Sequence, residues 1–237
     1  MLFIIKQNIK NIVSFGIHNV LFLHVTCYTK CNKKDRSDWM VQPDLVCIGD
    51  SIVYGYGVHP RFSWPRVASE RLGITILNRG INGDTSAGMR ARFSEDVLWN
   101  HPKEVFIMAG ANDILMGTSL ERTCKNVSRM VERALESGIG TIVGIPITVD
   151  GEMLKRCWYS YYSIEQTLEI FSKYREWLIA YCETMHVPYI DFQKRYPEYL
   201  ENAGIMYGYQ DGVHPTKEGY LALANIFCEA YAKMKVL

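Results

Sequence analysis

Ser51 and the pair Asp211 and His214 are the residues of this chain whose types and spacing could carry out chemistry together. A serine hydroxyl attacks a carbonyl at neutral pH only when an adjacent base takes its proton. That base works best when a third group fixes its tautomer. His214 and Asp211 can supply those two roles. They lie in a turn made by Gly212 and closed by Pro215, where the carboxylate can reach one ring nitrogen while the other points away. Pro215 suits the first turn of a helix beginning near Thr216. This is the material of a serine hydrolase.

The elements that must position these groups can be read from the apolar pattern. The run Leu45 to Ile48, followed by Gly49-Asp50-Ser51 and the glycine-bearing stretch Tyr54-Gly55-Tyr56-Gly57, reads as a buried parallel strand. Ser51 then sits just beyond the strand's carboxyl end, where open α/β sheets bind their ligands. Further candidate strands are Ile74–Leu77, Val105–Met108, Thr141–Ile145 and Val187–Ile190. Between them, apolar residues recur at helical spacing, from Leu120 through Cys124, Val127 and Val131 to Leu135, and from Ile164 to Tyr181. Tyr220, Leu221, Ala224, Phe227 and Tyr231 mark a C-terminal helix. Such alternation predicts a parallel sheet between layers of helices.

Acyl transfer also needs donors for the oxyanion, and two segments look suited to it. Asn78 to Thr85 forms a glycine-bearing turn before a helix starting near Ser86, and Gly83 there would let a bare backbone N–H approach a substrate. The segment Met108 to Asp113 follows another apolar run and offers the Asn112 amide. Taken singly, Gly-Asp-Ser and Asp-Gly are ordinary turns and Asn-Asp is an ordinary helix cap. Only the catalytic reading accounts for the whole set.

Four blocks stand in order between about Asp44 and Tyr220: Gly-Asp-Ser, Gly-Asp-Thr, Gly-x-Asn-Asp and Asp-x-x-His. Together they resemble the SGNH, or GDSL-type, hydrolases, a family of esterases and lipases. The resemblance implies a flavodoxin-like, three-layer α/β/α sandwich around a five-stranded parallel sheet. It also implies Ser51 as nucleophile, His214 as base and Asp211 as its orienter. The Ser51 and Gly83 N–H groups and the Asn112 amide would form the oxyanion hole. Ile52 replaces the leucine of the family's name, a swap that conserves volume and apolarity.

Composition agrees with one enzyme domain: 237 residues, 48% hydrophobic and 22% charged. A net charge of +1 without long runs of one sign points to small-molecule partners rather than nucleic acid or an anionic membrane. The seven cysteines form no C-x-x-C pair, and Cys47, Cys124, Cys182 and Cys228 fall at apolar positions, as buried thiols of a cytoplasmic protein would. The six histidines lack ligand spacing, so no metal is expected. Gly55-Tyr56-Gly57 has Pro60 where a dinucleotide fingerprint needs glycine, so no cofactor is expected either. The glycosylation triplet at Asn126 falls inside a predicted helix and reads as chance.

Residues 1–39 mix apolar and polar residues without a clean membrane span or a cleavage site. The folded enzyme is expected to begin near Met40, preceded by a disordered leader or a mis-set translation start; an export signal is the alternative. For the substrate, the aromatic segment Ile147–Tyr162, with Trp158 and Tyr159, and the pair Tyr54 and Tyr56 after the nucleophile could line a pocket. Small soluble esters are the expected class. Lysophospholipids, thioesters and sugar acetates are alternatives on the same site, and an acyltransferase or a binding module are the rivals from other classes.

Overall fold

Residues 42–158 and 161–236 are described by a computed structural model. Five strands form one parallel sheet in the order β2-β1-β3-β4-β5. They are β1 (Leu45–Gly49), β2 (Ile76–Gly80), β3 (Glu104–Met108), β4 (Gly140–Ile145) and β5 (Tyr189–Asp191). Successive side chains of β1 and β3 point to opposite faces, and both faces are buried. Val46, Ile48, Val105 and Ile107 pack against α3 (Ser86–Asp96), α5 (Leu120–Glu136) and α7 (Ile164–Met185). Leu45, Cys47, Phe106 and Met108 pack against α2 (Trp64–Leu72), α8 (Phe192–Asn202) and α9 (Lys217–Val236). The result is the three-layer α/β/α sandwich expected. Short helices α1 (Ser51–Tyr54), α4 (Ala111–Leu115) and α6 (Gly151–Cys157) follow the carboxyl ends of β1, β3 and β4.

Two strands depart from expectation. β2 begins at Ile76 and runs on through Asn78, Arg79 and Gly80, where the glycine-bearing sequence predicts a turn. β2 is an edge strand and tolerates polar residues, and Asn78 Nδ2 donates to the Val53 carbonyl at 2.8 Å. Gly80 must lack a side chain, because a Cβ there would stand 2.1 Å from the Tyr54 nitrogen. β5 begins at Tyr189 rather than Val187, after His186 has closed α7 in the left-handed conformation. At the last helix, Pro215 lies ahead of the first turn. Thr216 caps that turn, its Oγ1 accepting the Gly219 N–H at 3.1 Å.

Of the cysteines, Cys47, Cys124 and Cys182 are buried as expected, whereas Cys228 is half-buried and Cys157 exposed. Asn126 is buried, and its Nδ2 donates to Ser86 Oγ at 3.0 Å, which agrees with the chance reading of its triplet. Among the described residues no helix is long and apolar enough to cross a membrane. The expectations for residues 1–39 and for Tyr159 lie outside the described residues.

Candidate active site

Ser51 opens α1 directly after β1, so the strand fixes its position. Asp50 caps this turn, Oδ1 accepting the Ile52 N–H at 2.9 Å, and Gly55 ends it in the left-handed conformation. The buried Tyr220 hydroxyl donates to the Tyr56 carbonyl at 3.1 Å and lies 3.4 Å from the Ser51 carbonyl, tying the turn to α9. Ser51 itself is 4% exposed.

Asp211 and His214 occupy one tight turn. Asp211 Oδ1 accepts the Val213 N–H at 3.0 Å and the His214 N–H at 2.8 Å. Asp211 Oδ2 lies 2.8 Å from His214 Nδ1, and His214 Nε2 lies 3.0 Å from Ser51 Oγ. Burial opposes ionisation of Asp211, but these three hydrogen bonds outweigh it and hold the carboxyl below the usual carboxylate range. Gly212 makes the turn possible: its φ is +90°, and a Cβ would meet the Leu154 nitrogen at 2.4 Å. Its carbonyl accepts the Asp150 N–H at 2.8 Å, which docks the turn on the start of α6.

The loop after β2 carries Gly83 at a φ of +73°, with open space where a Cβ would project. Asn112, in α4, donates from Nδ2 to the Asp84 carbonyl at 2.9 Å, so the two segments expected to supply oxyanion donors are in contact. An amide nitrogen carries two hydrogens, and this bond uses one. Of the aromatic residues, Tyr56 and Trp158 stand beside the His214 imidazole. Their ring centroids lie 4.4 Å and 5.7 Å from that of His214. Tyr54 is half exposed, and among the described residues no ring contact joins it to His214.

Several residues that brace the site went unread in the sequence. Arg92 of α3 is largely buried. Its Nε donates to Asp84 Oδ2 at 2.7 Å and its Nη1 to Asp96 at 2.6 Å and to the Arg79 carbonyl at 2.9 Å. Its Nη2 reaches the Gly49 carbonyl at 3.0 Å. Asp113, next to Asn112, is also buried and caps α3, its two oxygens accepting the Ser86 N–H at 2.7 Å and the Ser86 hydroxyl at 2.6 Å.

Asp50 is the site's perturbed acid. Burial, with the carboxylates of Asp84 and Asp113 adding to it against the Ile52 N–H, pushes it up to about 7. A carboxyl raised on folding holds a proton that the unfolded chain releases near pH ~4. Its contribution to stability is therefore complete below that pH and is lost as the pH rises through about 7. Asp50→Asn keeps a capping oxygen and removes the titration. Denaturant midpoints from pH 5 to 8 should fall more steeply for the natural chain than for the variant; parallel curves would show that Asp50 does not titrate in this range.

Comparison with known proteins gives the family. Residues 47–222 match the model of the GDSL-like Lipase/Acylhydrolase family. The chain belongs to that family. This GDSL-like hydrolase is an enzyme that cleaves ester bonds, and it has both curated relatives and solved structural neighbours. It is 31% identical to an uncharacterized lipoprotein of Bacillus subtilis, over 65% of this chain and 72% of the relative. It is 26% identical to an arylesterase of Vibrio mimicus, over 80% of this chain and 88% of the relative. A member of the lipolytic G-D-S-L family from Veillonella parvula shares the fold, with a TM-score of 0.67, 22% identity and coverage of 79% of this chain and 97% of that one.

Proposed function

We propose that this chain is a serine esterase that cleaves small, short-acyl carboxylic esters through an acyl-enzyme on Ser51. The observation that carries the reading is the continuous Asp211–His214–Ser51 hydrogen-bond chain, with steps of 2.8 and 3.0 Å. In the first half-reaction His214 Nε2 takes the Ser51 proton while Oγ adds to the ester carbonyl. The oxyanion is held by the Ser51 and Gly83 N–H groups and the second N–H of Asn112. Collapse breaks the ester bond, and His214 passes its proton to the departing alcohol. Water, activated by the same imidazole, then adds to the acyl-enzyme and releases the acid. Asp211 holds the Nδ1–H tautomer throughout.

Tyr56 and Trp158 support a small flat or compact group beside His214, in keeping with the arylesterase among the relatives. Two observations bear on where the enzyme works. Buried free thiols suit a reducing compartment, whereas the lipoprotein relative suits export.

The test is turnover of p-nitrophenyl esters of increasing acyl length, with the acyl-enzyme trapped by rapid acid quench and mass spectrometry. Acetyl to butyryl esters should be hydrolysed fastest, with the added acyl mass on the peptide containing Ser51. A kcat/KM that keeps rising to long acyl chains would overturn the short-acyl reading. Label on another residue would overturn the mechanism.

A further inference from the structure

Helices α3 and α5 both begin at the carboxyl edge of the sheet, as α1 does. A cavity of about 320 Å³ is lined by Arg90, Arg122 and Lys125 from the first two turns of these helices, together with Asp113 and the threonines Thr85 and Thr118. Arg122 and Lys125 stand three residues apart on one face of α5, and Arg90 faces them from α3. Among the described residues none of the three cations belongs to an ion pair. Asp113, the carboxylate of this wall, spends both oxygens on Ser86.

Arg90, Arg122 and Lys125 are exposed, so solvent screens part of their mutual repulsion, and an anion between them would relieve the rest. The two guanidinium groups offer planar forks of N–H donors suited to phosphate and carboxylate oxygens. Three cations against one carboxylate leave two charges uncompensated, which matches a dianion. The volume stands at the lower end of small-molecule sites.

We propose that this cavity is an anion site for a small phosphate monoester, or a comparable dianion, distinct from the Ser51 centre. The site is built on the segments that follow Asp84 and Asn112, so its occupant sits against the backbone that forms the candidate oxyanion hole. The phosphate is gripped by Arg90, Arg122 and Lys125, and the remaining volume takes the organic part.

The test is calorimetric titration of the full chain with inorganic phosphate and with glycerol phosphate, repeated on the Arg122→Ala/Lys125→Ala double variant and on Ser51→Ala. Saturable binding is expected, with a Kd in the millimolar range or tighter, about tenfold or more weaker in the double variant and unchanged in Ser51→Ala. Tighter binding of glycerol phosphate marks a monoester site, and equal affinities mark a site for the phosphate group alone. Circular dichroism and the thermal midpoint without ligand establish that the double variant is folded. Absence of saturable binding, or equal affinity in the folded double variant, would overturn the proposal. Because binding is read without turnover, this result is independent of Ser51's role in hydrolysis.

Discussion

Ser51→Ala is expected to lower kcat by about 10⁶-fold on a short-acyl ester, and His214→Ala alone by a similar amount. The double variant should fall no further. The two side chains act as one unit: without the imidazole the hydroxyl keeps its proton, and without the hydroxyl the imidazole has nothing to deprotonate. Asp211→Asn should cost about 10⁴-fold, because an amide at 2.8 Å from Nδ1 no longer selects the tautomer that leaves Nε2 free to accept. Steady-state rates corrected for spontaneous hydrolysis of the nitrophenyl ester decide the matter. Additive losses, or a Ser51→Ala enzyme still within a hundredfold of the natural one, would remove the triad from the mechanism.

Asn112→Ala is expected to lower kcat by about 10²–10³-fold, or roughly 3–4 kcal/mol, with little change in KM, since an oxyanion donor acts on charge that develops only in the transition state. The same side chain also donates to the Asp84 carbonyl, so truncation unties two segments as well as removing a donor. The thermal midpoint separates these effects. A loss confined to kcat with a near-natural midpoint assigns Asn112 to the oxyanion. A change below about tenfold in rate excludes that role.

How far the sequence reveals this molecule depends on the range of the interactions concerned. β1, β3 and β4 are legible because each is a short apolar run buried on both faces. β2 is not, because an edge strand carries no such signature and its asparagine is satisfied by the carbonyl of Val53, on another segment. The pairing of Asp211 with His214 is legible from three-residue spacing, and Ser51 from its place after β1. What holds them is not: Arg92 reaches Gly49 across 43 positions and Tyr220 reaches Tyr56 across 164. Nothing local distinguishes that arginine or that tyrosine from any other helix residue. The aromatic pair after Ser51 illustrates the same limit, since Tyr54 and Tyr56 look alike in sequence and only Tyr56 has a ring contact with His214 among the described residues.

The four contacts of Arg92 join the ends of β1 and β2, the Asp84 loop and its own helix through a single guanidinium. With a hub of this kind the candidate oxyanion hole is expected to fail as a unit, ahead of the sheet beneath it. In Arg92→Lys, where one ammonium replaces a planar fork, the loop should open at temperatures at which the strands are still paired. Heated slowly, such an enzyme would lose turnover several degrees before its circular dichroism changes, whereas the natural chain would lose both together. The durability of catalysis, as distinct from that of the fold, then resides in one side chain that touches no substrate.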